Sequence, residues 1–412
     1  MIERPQVMNT FMNRQSKAYA IIMFIIWPFS AVFIGISCFN SKFGRNLLVA
    51  AFVFLGYSAI NTGDLERYAL RYYETSDNKL SFLFDLVLNF KVGHFFTDFC
   101  AILFSVFKNH HIYFAFLFGF YAYFLINSIN LLRLKIIKKS NLPVMVGFIA
   151  FAFFYSVLTV FNYSFHTGAL YFLYFLLQII LNENNKRFFV FIFLTPLFHI
   201  GLTPILLVPL FFLLFRNKTN LYILLLIIFT VLSQSFIIKT FQNNLGGNNT
   251  ILEEKYDSYA SEEGRGRMQT RYETAYQSNN SNYRLFKDIK EISNKVAIPL
   301  LLFVFYLNRK KFINDKIQLD LFNISIACMA VTNLMLNISQ GERFYIISGF
   351  MVLGTYIYFI QKNRFQTLRF KFVIYLIFPF LLLNNLVSLI LVKYIISSNF
   401  LISNFPLLLF GS

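Results

Sequence analysis

Apolar runs of membrane-spanning length constrain this chain more than any other feature. Blocks of about 20 apolar residues match the hydrocarbon thickness of a bilayer. Inside lipid, only helices and closed barrels satisfy every backbone polar group. The runs are too long and too uniformly apolar to be the roughly 10-residue alternating strands of a barrel. The spans are therefore expected to be helices. Composition agrees: 14% of residues are charged and 57% hydrophobic, against about 25% charged in a soluble domain. The expected fold class is all-α, a polytopic helical membrane protein of about ten to twelve transmembrane or re-entrant helices with a large extracytoplasmic loop.

The expected spans are residues 18–39, 46–60, 110–132, 142–160, 165–182, 220–238, 296–307, 321–338, 344–360 and 372–392. No repeat and no Gly/Ser- or Pro-rich linker divides residues 1–412, which read as one transmembrane domain. The block 18–39 follows Arg4, Arg14 and Lys17. It is too long for a cleaved signal and reads as a retained anchor helix.

The net charge of +18 would suggest nucleic acid in a soluble chain. Here the basic residues sit in short connectors, as the positive-inside bias requires, and no nucleic acid is expected. The clusters are Arg133/Lys135/Lys138/Lys139, Lys186/Arg187, Arg216/Lys218, Arg309/Lys310/Lys311/Lys316 and Lys362/Arg364/Arg369/Lys371. All belong on the cytoplasmic side under that rule. Cys38, Cys100 and Cys328 lie in apolar stretches without disulfide or metal spacing and read as packing residues.

This sidedness makes residues 188–215 unusual. They begin and end beside basic connectors, so they cross an even number of times, yet they are too few for two full spans. Pro196, Gly201, Pro204 and Pro209 interrupt the block. The expectation is a re-entrant or broken pair of half-helices with His199 near its turn; a single kinked span is the competing arrangement. Irregular backbone at membrane depth must be covered by protein or line a wet cavity. The connectors 61–109, 161–164, 239–295 and 339–343 then fall outside, with 61–109 carrying helices that lie along the surface.

The residues able to do chemistry cluster in those outer connectors. Asn61-Thr62-Gly63-Asp64-Leu65-Glu66-Arg67-Tyr68 follows a span. Asp64 could cap the helix behind it, and Arg67 and Arg71 share a helix face. The segment is either a capped interfacial helix or a rim that binds sugar and phosphate through Asp64, Arg67 and Tyr68. Asn162 and His166 lie four apart at a helix start and could line a polar pocket. His199 is a titratable group in an apolar block, and such groups usually face a cavity or a partner. Gln340-Gly341-Glu342-Arg343-Phe344-Tyr345 puts Glu342 and Arg343 in a short outer turn. A guanidinium there suits bidentate phosphate binding. In 239–295, Tyr256, Tyr259, Arg265 and Arg267 are part of a Tyr-, Asn- and Arg-rich mix that suits a glycan or a polyanion; for most residues of this segment a solvated loop without a ligand is the competing and better-placed reading. No P-loop, GxSxG, HExxH or paired CxxC occurs, so neither nucleotide hydrolysis nor a structural zinc site is expected.

The Asn-Thr-Gly-Asp-Leu-Glu-Arg-Tyr run resembles the Gly-Thr-Asp-x-x-x-Tyr element of EpsG-like membrane proteins, relatives of the Wzy-type O-antigen and exopolysaccharide polymerases. Further pieces follow in that family's order: Asn162/His166, Phe198-His199, Tyr256-x-x-Tyr259 and Arg343-Phe344-Tyr345. The likeness spans residues 18–390 and departs at Gly63-Asp64, where the family has Gly-Thr-Asp, and at His166, near which it tends to have Arg. The resemblance implies a multi-pass enzyme of the bacterial inner membrane that needs no cofactor or metal. Its substrate would be an undecaprenyl-pyrophosphate-linked oligosaccharide, and its surroundings membrane lipids, with a chain-length regulator and a flippase as further partners. Arg343 would bind the pyrophosphate and His199 would act as base or acceptor-orienter; Arg265 or Arg267 would be further phosphate ligands. The alternatives are a flippase for the same lipid-linked units, which should show repeat symmetry and deep charges, and another membrane glycosyltransferase using a polyprenyl-phosphate sugar. Asp64 and Glu66 could imitate the acidic pair of the latter.

Overall fold

The computed structural model describes residues 14–59, 64–76, 82–84, 95–134, 163–182, 187–234, 293–336 and 341–363, and every regular element among them is helical. Among the described residues, four helices are long and apolar enough to cross a membrane: His110–Leu132, Tyr163–Leu181, Lys316–Met335 and Gly341–Ile360. The expected spans 142–160 and 372–392 and the loop 239–295 lie outside the described residues.

In chain order the helices are α1 (Arg14–Ile26), α2 (Ser30–Ser37), α3 (Lys42–Tyr57), α4 (Asp64–Ser76), α5 (Phe95–Phe104), α6 (His110–Leu134), α7 (Tyr163–Leu181), α8 (Phe188–Phe193), α9 (Leu207–Phe215), α10 (Thr219–Gln234), α11 (Ile298–Leu307), α12 (Lys316–Met335) and α13 (Tyr345–Asn363). One expectation needs correction. The block 18–39 is two helices, α1 and α2, separated at Trp27-Pro28-Phe29. Pro28 lacks an N–H and its ring clashes with the carbonyl four residues back, so the helix ends before it. Hydropathy registers the run of apolar residues and is blind to that break.

Caps set several helix starts. Ser41 Oγ accepts the Gly44 amide at 2.9 Å and opens α3. The Asp315 carboxylate accepts the Gln318 amide at 3.2 Å and opens α12. Each satisfies an N–H that has no partner within its own helix.

Helices α7, α12 and α13 are covered on nearly all sides and form the centre. α6 packs between α3 and α7, and α10 packs on α12. The outer helices turn large apolar side chains outward, such as Leu224, Ile227, Ile228 and Val231 at helical spacing on α10. A water-facing surface does not carry such a stripe, whereas lipid takes it without cost.

Polar side chains tie the central helices together. Asn333 Nδ2 donates to Thr230 Oγ1 across α12/α10 at 2.8 Å, and Ser325 and Thr355 hydroxyls bond across α12/α13 at 2.9 Å. At the end of the bundle rich in basic connectors, Arg216 clamps the buried Asp320 at 3.0 and 2.6 Å. Asn323 donates to the Arg216 carbonyl at 2.9 Å. These bonds fix α9 against the start of α12. The contacts at the opposite end build the candidate site.

Candidate functional site

The block 188–215 is broken around Pro196, Gly201 and Pro204 as the sequence expects, but not at Pro209, which sits in the first turn of an unbroken helix, where its missing N–H has no helical partner to lose. α8 ends at Phe193, 3-10 turns run over Thr195–Leu197 and Ile200–Leu206, and α9 resumes at Leu207. His199 stands in the gap with extended backbone, φ −161° and ψ 118°. Its side chain folds back and caps the following turn: Nδ1 accepts the Gly201 amide at 3.0 Å. A Cβ on Gly201 would lie 2.9 Å from both Nδ1 and Cε1 of that ring.

Phe165, in the first turn of α7, gathers the neighbouring pieces. Its ring meets the His199 ring edge-on at 5.5 Å and the Phe344 ring edge-on at 5.4 Å. The buried His166 ring is 5.6 Å from it. Three segments separated by long stretches of chain therefore meet at one aromatic side chain.

The Arg343 turn is held from below. Residues Gly341–Phe344 form a 3-10 turn that leads into α13. Thr332 Oγ1 bonds the Cys328 carbonyl at 2.8 Å and reaches the Phe344 carbonyl at 3.1 Å. Gly341 sits against the end of α12, and a Cβ there would lie 1.7 Å from the Met335 carbonyl oxygen. Only a residue without a side chain lets the turn come so near. Glu342 is exposed and Arg343 half-buried.

α4 closes one side. The Tyr68 hydroxyl donates to Ser164 Oγ at 3.1 Å and accepts the Ser164 amide at 3.3 Å. That amide is one of the helix-start N–H groups of α7, which have no partner within the helix. Arg67 is exposed on the same helix. Arg71, by contrast, is engaged by Asp98 of α5 through Nε–Oδ1 at 2.5 Å and Nη2–Oδ2 at 2.8 Å. The Asp98 side chain is 1% exposed and the Arg71 side chain 39%. Its bond to Asp98 raises the Arg71 pKa above the usual arginine value. α5 also stacks Phe96 on Phe198 at 4.4 Å, beside His199.

The chemistry on offer is hydrogen bonding and charge. Burial pushes the Cys100 thiol up, which makes it a poor nucleophile. Cys100 and Cys328 are free and buried, and Cys38 is free and half-buried. Among the described residues no group of three His, Cys, Asp or Glu could hold a metal ion.

No family model, curated protein or solved structure matches the chain.

Of the residues singled out in the sequence, Tyr68, His166, His199 and the Glu342–Arg343 turn belong to segments that meet at the start of α7. Asp64 begins α4. Asn162, Tyr256, Tyr259, Arg265 and Arg267 lie outside the described residues. The sequence reading missed Ser164 and Phe165 as connectors, Asp98 as the partner of Arg71, and Thr332 and Gly341 as supports of the Arg343 turn. Asp98 carried a signal: it is an isolated acid in an apolar block, which demands a cation.

Proposed function

We propose that this chain is a glycosyltransferase of the bacterial inner membrane that polymerises undecaprenyl-pyrophosphate-linked oligosaccharide repeat units into a surface polysaccharide. In this reading it is multi-pass with about ten spans. The connectors 61–109 and 239–295 lie on the outer face, opposite the basic connectors. The observation that carries the proposal is the meeting of His199, His166 and the Arg343-Phe344 turn around Phe165. The order of sequence elements shared with EpsG-like and Wzy-type proteins supports the same reading.

The chemistry requires little more than such a site offers. A glycosyl pyrophosphate carries its own leaving group, so the enzyme has to position two glycans and stabilise the charge that develops as the pyrophosphate departs. Arg343 is the fork for that phosphate. Tyr68, bonded to Ser164 at the start of α7, and the exposed Arg67 beside it on α4 suit sugar hydroxyls. His166 and Asn162 would complete the polar wall, and Asp64, Glu342 and the loop residues Tyr256, Tyr259, Arg265 and Arg267 would hold the glycan and phosphate farther out.

Deleting the gene in its native host and resolving the surface polysaccharide by electrophoresis tests this. Loss of the long-chain ladder with a single repeat unit retained is the expected result, and an Arg343→Ala copy should fail to restore the ladder. An unchanged ladder would sink the proposal. Loss of every repeat would replace it with a flippase or an earlier transferase.

A further inference from the structure

We infer that His199 is held as a hydrogen-bond donor, with its proton on Nε2, and that Gly201 is the positioning residue that fixes this state; the inference rests on the proposed glycosyl transfer for the identity of the oxygen that His199 addresses. The observation is the cap at the break in 188–215, where Nδ1 accepts the Gly201 amide at 3.0 Å. A nitrogen that accepts a hydrogen bond carries no proton, so in the neutral imidazole the proton resides on Nε2. For Nε2 to act as a base, the ring would need the opposite tautomer. The Nδ1–H would then point at the Gly201 N–H, donor against donor, and the helix start would lose its cap. Edge contact with Phe165 at 5.5 Å restricts escape by ring rotation. Gly201 sits tightly enough that a methyl group there would lie 2.9 Å from Nδ1 and Cε1, so any side chain pushes the ring off the cap.

The sequence alone left His199 open as base or as acceptor-orienter; this geometry argues against the base and points to a donor for the leaving group instead. In the transfer step, the C1–O bond to the pyrophosphate breaks and its electron pair stays on the phosphate oxygen. The acceptor hydroxyl oxygen bonds C1, and its proton leaves with the departing pyrophosphate. His199 Nε2–H donates to a phosphate oxygen as its negative charge grows, beside Arg343, and takes up no proton. Such a donor acts mainly in the transition state and is worth on the order of 100-fold in rate.

The test combines a spectrum and a pair of variants in the full-length protein in detergent. The imidazole ¹⁵N signals of His199 are assigned by subtraction with His199→Gln, which leaves His94, His110, His111 and His166 in place. At neutral pH the wild type should show an unprotonated Nδ1 and a protonated Nε2, and Gly201→Ala should abolish that pattern. In polymerisation, His199→Gln, whose amide nitrogen can replace the Nε2–H donor but which has no basic nitrogen, should retain within about 10-fold of the wild-type rate. His199→Ala should lose about 100-fold or more. A protonated Nδ1 in the wild type, or His199→Gln as inactive as His199→Ala while still eluting as a folded species, overturns the inference. The spectrum needs no substrate. A wild type that makes no polymer but shows the Nε2–H tautomer therefore removes the polymerase reading and leaves the donor state standing.

Discussion

Gly341→Ala is the smallest change that should move Arg343 without touching its charge. The added methyl carbon would start 1.7 Å from the Met335 carbonyl oxygen, 2.6 Å from its carbon and 3.3 Å from Leu336 Cα. These are backbone atoms at the end of α12, so no side-chain rotation relieves the contact. A real Cβ contact is essentially never under 3.0 Å, so the turn has to withdraw by about 1.3 Å, the gap between 1.7 and 3.0 Å. Overpacking of this kind costs about 1–3 kcal/mol, which a bundle of this size can absorb. Function is more sensitive, because a misplacement of about 1 Å at a reacting site can cost on the order of 100-fold. The expected outcome is near-normal abundance of folded protein and a polymerisation rate down by about two orders of magnitude. The assay is rate of polymer growth in membranes, normalised to the monodisperse fraction on size-exclusion chromatography. Combining the variant with Arg343→Ala should add little, because both act through one guanidinium and such effects are non-additive. Full activity of a well-folded Gly341→Ala protein would refute the claim that the position of this turn matters.

Tyr68→Phe removes the hydroxyl that both donates to and accepts from Ser164; a loss of about 1 kcal/mol should slow polymer growth roughly fivefold, and an unchanged rate would detach α4 from the site. Asp98→Ala leaves the Arg71 guanidinium without its carboxylate. Because Arg71 is 39% exposed, the expected loss is about 1–2 kcal/mol instead of the 3–5 of a fully buried pair. Thermal unfolding in detergent should show the drop, and Arg71→Met with Asp98→Leu should restore it. Phe165→Leu removes edge contacts to both His199 and Phe344, together worth about 1–3 kcal/mol beyond area burial; activity should fall further than stability, and equal falls would reduce Phe165 to a packing residue. Asp320→Asn weakens the clamp on Arg216 at the other end; the melting temperature should drop while the rate per folded molecule holds, and a loss of specific rate would show that the two ends are coupled.

Helix existence was legible from hydropathy because long apolar runs and helical spans obey the same length rule. The ends were less so. α12 begins at Lys316, well before the apolar stretch that starts at residue 321, because the Asp315 cap and not hydrophobicity sets its start. The break at Pro28 was overlooked for the same reason: proline acts on backbone geometry and leaves the run's hydropathy untouched. In the candidate site, His199 stood out because a titratable group in an apolar block is costly, and Arg343 because it is a guanidinium in a short turn on the face expected to be poor in positive charge. Phe165 did not, since one Phe among 56 in the chain has no local mark; its importance lies in which rings reach it from distant segments. Arg71 was read beside Arg67 as part of one basic face, yet only the fold reveals that Asp98 claims it.

The parts of the candidate site share one physical trait. His199 lies in extended backbone between 3-10 turns, Arg343 in a 3-10 turn, and Phe165 and His166 in the first turn of a helix. All are places where backbone groups lack helical partners, and inside lipid each such group would cost several kcal/mol. The chain spends side chains to settle that debt: the His199 imidazole on the Gly201 amide, the Tyr68 hydroxyl on the Ser164 amide, Thr332 on the Phe344 carbonyl. The same side chains are thereby fixed in place before any substrate arrives. Satisfying irregular backbone and preorganising a polar site are here one act of construction. This explains why His199, Arg343 and His166 gather at breaks and helix starts, while the middles of the central spans carry neutral hydroxyl and amide pairs such as Ser325–Thr355 and Asn333–Thr230.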